Sequence, residues 1–434
     1  MNGDFVIKAG TLRKYTGSGG EVIIPSGVSR IGRNAFENCD TVTGVVFPKS
    51  LKKISSGAFE NCYSLKTVVF PDSLKDIGES AFEECRALVS VVIPEGIKQL
   101  NWAVFASCRS LTNVVLPKGL ETIGESAFED CNNLTSIILP EGLKTIGRNA
   151  FRDCYSLLNI SLPESVCEIS KYAFRDCHNL TNVNIPVRLT EIGMGAFEEC
   201  HCLTGIVLPK DLTHIGDRAF FGCHGLRSIN IPEGVSEIGS NTFRGCYALT
   251  SIDLPDNLEK IGQRAFQSCI MLASIKFPET LTSIGDSAFL GCSGISDIVI
   301  PSGVTQIGWF AFASCSQLIN ISLPANLKTV EKSLFWGCRS LKHITLPENV
   351  ENIEEGAFED CKGLMDIDLP ENLENIGENA FKNCTALREL KLPAGIRNIG
   401  KGAFSLCREL TLFTYPGSEA EKTALSDGYR FENI

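Results

Sequence analysis

The sequence predicts an α/β solenoid, a stack of 23-residue coils in one elongated domain with no linker. Three observations predict it. All 18 prolines keep that spacing, from Pro25 to Pro416. A phenylalanine column runs from Phe36 to Phe404 without a gap. Seventeen of the 19 cysteines form a further column, from Cys39 to Cys407. Self-similarity at a fixed period of about 20–50 residues marks a repeat architecture. One unit cannot bury its apolar face alone, but stacked neighbours close each other's core.

Each element follows from the columns. In the first unit, Val28, Ile31, Ala35, Phe36, Cys39, Val42, Val45 and Phe47 are apolar, and the same places stay mostly apolar in later units. Alternation at Val45 and Phe47 predicts a strand with residue 46 facing outward. Pro48 ends it, because proline has no N–H to donate to a ladder. Ile31, Ala35, Cys39 and Val42 are spaced four, four and three apart, which predicts one or two helical turns. Gly32, repeated as Gly78, Gly124 and Gly147, is expected at a tight turn with φ > 0. Ser55, Asn101, Ser170, Glu331 and Glu354 replace it, so that conformation is preferred rather than obligatory. Stacked strands lie parallel, about 4.8 Å apart.

The pattern L-x-x-V-x-[LF]-P-x-x-[LV]-x-x-I-G-x-x-A-F-x-x-C, seen at Leu65–Cys85 and Leu134–Cys154, resembles the BspA-like class of leucine-rich repeats. The resemblance covers about nine-tenths of the chain. It implies a leucine-rich-repeat solenoid: a single curved right-handed coil, with a parallel β-sheet on the concave face and short helical or 3-10 turns on the convex face. It also implies surface adhesion or partner binding, as in certain members. The repeat itself is a scaffold, and fold alone does not carry function.

The boundaries follow from the period: residues 1–24 as an N-terminal cap, 25–415 as seventeen repeats without insertion or deletion, and 416–434 as a C-terminal cap. In the first segment Phe5-Val6-Ile7 is a short strand and Gly17–Gly20 a turn. Glu21–Pro25 is the strand half of a repeat whose front half is missing. The glycines lack the G-x-x-x-x-G-K-[ST] pattern of a phosphate cradle. In the last segment Glu419–Ser426 favours a helix, Gly428 ends it, and Tyr429–Phe431 adds a strand.

Lys+Arg 40 against Asp+Glu 51 gives a net charge of −11, with no basic block. That argues against nucleic acid and anionic membranes as partners. Charges and prolines interrupt every apolar run, so no membrane insertion is expected. The opening MNGDFVIKAG lacks the basic and apolar regions of a signal peptide. The expected location is the cytoplasm, or the cell surface or outside if an export signal has been removed.

The cysteine column reads as free, buried thiols that act as small hydrophobes. Their Cβ vectors run parallel, which disfavours disulfides, and no C-x-x-C pair occurs. Cys167 and Cys202 leave the column and are expected at the surface. His178, His201 and His224 follow the column cysteine in three consecutive units, with Tyr155 and Tyr247 extending the row. Three stacked imidazoles could hold zinc, with Cys202 as a fourth ligand, or couple their protonation. They could equally occupy a place that tolerates Asp40, Arg86 and Asn132 elsewhere. Side chains in a row do not converge on a tetrahedron, so no metal or cofactor is assigned.

Two surfaces are candidates for a protein partner. Val46, Val69, Val92, Val115 and Ile138 form an apolar stripe, which gives way to Ser161, Asn184, Val207, Asn230, Asp253 and Lys276. The neighbouring Gly44, Thr67, Ser90, Asn113 and Ser136 are small and leave the stripe accessible. An exposed apolar patch marks an interaction site, although β-propensity alone also favours Val and Ile at a sheet position. On the opposite side Trp309, Phe310, Trp336 and Leu290 replace polar residues, as do Phe221 and Trp102. Aromatics are favoured interface anchors, and packing between neighbouring turns is the other account. No paired carboxylates, Ser–His–Asp set or pocket-forming insertion stands apart from the repeat, so no catalysis is expected. The expected function is a protein-binding scaffold, adhesin-like or an adaptor, with self-assembly through the stripe or the solenoid ends as the alternative.

Overall fold

The computed structural model describes residues 3–434. The chain divides into two compact units, Met1–His224 and Gly225–Ile434. Each is a stack of coils built by the same rules.

Within a coil the backbone makes two strands, not one. The L-x-x-V-x-F segment forms the expected parallel row, in which Val45 pairs with Val68 and Ile344 with Ile367. The second row comes from the residue pair before the conserved glycine position. Ile31 pairs with Ile54, Ile123 with Ile146, and Ile284 with Ile307. These strands are two residues long, too short for alternation to reveal. The inward isoleucine is their only apolar mark.

The expected helical turns are absent from the repeats. Residues 33–38 of each coil form consecutive hydrogen-bonded turns. Two places in every turn are left-handed: Asn34 (φ 54°) and Asn38 (φ 59°), then Gly57 and Asn61, and so on to Gly402 and Leu406. Left-handed residues break a right-handed helix. Amides that a helix would use internally are instead donated to the next coil, as from Phe36 to Ala58 O at 2.8 Å and from Phe266 to Ala288 O at 2.8 Å. A third row of inter-coil hydrogen bonds results. Among the described residues the α-helix is Glu419–Asp427.

The glycine column also has a different cause from the expected one. Gly32, Gly78, Gly124 and Gly147 are not left-handed. They are needed because the preceding coil passes so close. A Cβ on Gly124 would lie 2.4 Å from Leu100 O, and one on Gly147 2.7 Å from Gly124 C. Left-handed angles fall two and six residues later, where Asn, Asp, Ser and Gly predominate because they tolerate them.

Inside each unit the columns stack like on like. Phe36 and Phe59 lie 4.7 Å apart between ring centroids, and Phe266 and Phe289 5.2 Å, all offset-stacked. Phe47 and Phe70 meet this ladder edge-on. The cysteines are free, and their thiols do more than fill space. Cys62 Sγ donates to Phe36 O at 3.1 Å, and Cys338 Sγ to Phe312 O at 3.2 Å. Each of these thiols thus satisfies a buried carbonyl one coil back.

The terminal segments close the edges of these rows. Phe5–Lys8 and Thr11–Tyr15 form an antiparallel hairpin. Residues 11–24 are a shortened coil, so the front half expected to be missing is present in abbreviated form. Leu12 pairs with Ile31, and Tyr15 stacks on Phe36 at 4.9 Å. At the other end, Leu390 pairs with Leu412, a spacing of 22 rather than 23, so the last repeat is one residue short in register. Ser418 caps the helix by accepting from the Glu421 amide, while the Glu421 carboxylate accepts from the Gly417 amide. Gly428 (φ 74°) ends the helix, and Arg430–Asn433 adds a final parallel strand.

Candidate interaction surfaces

The long strand row of Met1–His224 carries the apolar stripe on its outer side. Ile23 pairs with Val46, Val46 with Val69, and Val92 with Val115, so the side chains stand in file at strand spacing. They are exposed, from 41% at Val46 to 71% at Val69 and 86% at Ile138. Ile23, exposed at 70%, extends the stripe to six residues. It was hidden in the sequence by lying in the segment read as a cap. Thr67, Ser90 and Asn113 flank the stripe, which stays exposed beside them.

The corresponding row of Gly225–Ile434 carries polar and acidic groups. Asn320 donates to Asp297 at 2.7 Å and Ser296 donates to the same carboxylate at 2.6 Å. Together they hold Asp297 below the usual carboxylate range, Ser296 contributing most. His343 bonds Asp366 and Thr345, and Thr345 donates to Asp368 at 3.2 Å. Val299 is an exposed apolar exception.

The candidate aromatics lie on the turn face and do not form one cluster. Trp309 and Phe310 share a coil and Trp336 belongs to the next. Trp309 is half-exposed and its Nε1–H donates to Glu331 at 3.1 Å. Phe310 occupies a left-handed position (φ 58°). Leu290 is partly buried, and Trp102 stands alone in the other unit. Phe221 is explained by packing, since the Arg218 guanidinium lies 4.4 Å from its ring centroid. Arg218 in turn grips the buried Glu198 with two bonds of 2.6 and 3.0 Å.

The histidine row forms as a stack. Tyr155 lies on His178 at 4.9 Å, His178 on His201 at 4.5 Å, and His201 on His224 at 4.4 Å. The residue two places earlier, at the second left-handed position, pairs with it. Tyr155 donates to Asp153 at 3.1 Å, and His201 Nε2 lies 2.7 Å from Glu199. Burial, then the neighbouring His201, pushes the His224 pKa down. Nothing in the repeat pattern marks Glu199. Its spacing from His201 was visible, but the turn geometry that aligns them was not. Cys167 and Cys202 are exposed, as expected. Burial pushes the Cys62 thiol up to about 12, whereas a hydrogen bond from Cys384 draws the partly buried Cys407 down.

Known proteins share this architecture. Four overlapping stretches, residues 14–134, 98–226, 190–319 and 305–425, match the BspA type leucine rich repeat region (6 copies). A leucine-rich repeat protein from Bacteroides ovatus is 27% identical, with 99% of this chain and 97% of that one covered and a TM-score of 0.54. A leucine rich cell surface protein from Faecalibacterium prausnitzii is 26% identical over 98% and 96%, with a TM-score of 0.37. A leucine-rich repeat protein from Eubacterium ventriosum is 21% identical over 89% and 88%, with a TM-score of 0.44. No curated protein matches the chain.

Proposed function

Because the chain belongs to the BspA-type leucine-rich repeat family, matched from residue 14 to residue 425, we propose that it is a non-catalytic scaffold for protein–protein interaction, adhesin-like or an adaptor. The partner docks on the strand face of Met1–His224. One observation carries this reading: six β-branched side chains from Ile23 to Ile138 stand exposed in file, the first five of them on paired strands. Water-facing positions of a sheet are free to vary, and an unbroken apolar file on them is a contact surface in waiting. The aromatics Trp309, Phe310 and Trp336 are a secondary surface in the other unit. Among the described residues no helix is long and apolar enough to cross a membrane.

The test compares the unaltered chain with Val69→Ser/Val92→Ser/Val115→Ser. Each is immobilised and exposed to an extracellular-matrix extract and to a cytoplasmic lysate. A protein retained by the first and lost by the second, at equal thermal stability, supports the proposal. Equal retention by both sinks it. Light scattering separates the self-assembly alternative, which requires a dimer or larger species that reverts to monomer in the triple variant.

A further inference from the structure

The turn face of Met1–His224 holds a donor cluster that the strand-face interaction does not use. Glu199, His201 and His224 present a carboxylate oxygen and two imidazole nitrogens, all within 4.8 Å of one another, and all three residues are half-buried. The repeat geometry creates this convergence. Glu199 sits at the second left-handed position (φ 59°), and His201 follows two residues later on the same side of the turn. His224 repeats the place of His201 one coil on, with ring planes within 8°.

What sets this coil apart is Gly222, the residue that succeeds Glu199 in its column. A Cβ on Gly222 would lie 2.4 Å from Glu199 Oε2. The carboxylate therefore leans across space that only glycine leaves open, toward the coil of His224. One coil earlier the arrangement is different. Asp176 is shorter, its Oδ1 lies 3.6 Å from His178 Nε2, and the next place in its column is filled by Glu199 itself.

We infer that Glu199, His201 and His224 form a site for a divalent transition-metal ion, zinc or copper, with the remaining coordination positions left to water. Imidazole and carboxylate donors suit these ions, and three protein ligands with an open position are a common zinc arrangement. Bonds of about 2.0–2.2 Å place tetrahedral ligand atoms about 3.3 Å apart. Binding would require side-chain rotation to contract the present separations and to open the stacked rings from parallel, so that both lone pairs converge. Cys202, the fourth ligand considered from sequence, is not among the converging donors.

The test is calorimetric titration of the full chain with zinc chloride, in a Cys167→Ser/Cys202→Ser background that removes the two exposed thiols. One zinc per chain is expected. His201→Ala and His224→Ala should each weaken binding at least tenfold, Gly222→Ala should also weaken it by displacing the Glu199 carboxylate, and His178→Ala should leave it unchanged. Copper added to the chain with all its histidines, read by electron paramagnetic resonance, should show two imidazole nitrogens. That spectrum decides the matter if a histidine variant fails to fold. Absence of saturable binding, binding that survives His224→Ala, an equal loss in His178→Ala, or a spectrum without two imidazoles would each overturn the assignment.

Discussion

The strand faces of Met1–His224 and Gly225–Ile434 rest on the same kind of inward columns, yet the first begins with a long apolar file and the second is mostly polar. In the first unit the outward file runs Ile23, Val46, Val69, Val92, Val115 and Ile138 before it turns to Ser161, Asn184 and Val207. In the second it includes Asp253, Lys276, Thr345, Asp368 and Lys391, beside Asp297, His343, Asp366 and Glu389. Inside, both units stack phenylalanine on phenylalanine and bond thiol to carbonyl. The contrast shows that cohesion and recognition are written on separate columns. One can change completely while the other is held fixed.

The steepest test of the shared interior is alkaline pH. Burial holds the fully buried column thiols above their ordinary pKa in both units, as at Cys131 and Cys338. The unfolded chain therefore loses these protons first. Stability is complete below the unfolded thiol pKa of about 8.5 and falls as pH rises toward the folded values. Each such thiol contributes a slope of about 1.4 kcal/mol per pH unit. Single-tryptophan variants retaining Trp102 or Trp309 should report this loss in each unit over the same pH range. A unit whose urea midpoint stays flat to about pH 10 would break the equivalence.

Next in size is cavity formation. Phe151→Ala and Phe312→Ala, both fully buried, should each cost about 3–5 kcal/mol in urea denaturation. A difference between them well beyond about 1 kcal/mol would show unequal interiors. Gly147→Ala and Gly377→Ala press a methyl against the preceding coil, at 2.7 Å from Gly124 C and 2.6 Å from Glu354 C. Each should cost about 1–3 kcal/mol. A smaller gain is expected where the turn rule is violated. Leu406 is left-handed (φ 66°) and exposed, so Leu406→Gly should stabilise by roughly 1 kcal/mol, and a loss would show that its side chain packs after all. The smallest effect on stability belongs to the outward file. Val69→Ser, Val92→Ser and Val115→Ser should each change it by about 0.5 kcal/mol or less. A large cooperative destabilisation would mean that the stripe belongs to the interior.

The stack was legible because its columns are. Phe36, Ala35, Cys39 and Ile31 recur too regularly for any other reading, and proline marks the end of each long strand. The two-residue strand row and the left-handed turns were not legible. A strand such as Lys53–Ile54 has no period to display. The residues at positions 34 and 38 vary from Asn to Tyr and Leu, so their common conformation leaves only a weak bias toward Asn, Asp, Ser and Gly. The glycine at 32 was visible, but its cause, a backbone one coil away, is a tertiary fact. Of the surfaces, Val46–Ile138 could be read from its column. The Glu199 donor could not, because its direction depends on Gly222, whose importance lies in the atoms it lacks.

The amide of Phe36 reaches Ala58, and the same link recurs coil after coil within each unit. Excising or duplicating 23 residues recreates a seam that already exists, so the polypeptide tolerates changes in copy number without new chemistry at the join. Gain or loss of a whole unit therefore leaves the interior unchanged and alters only which outward residues become neighbours.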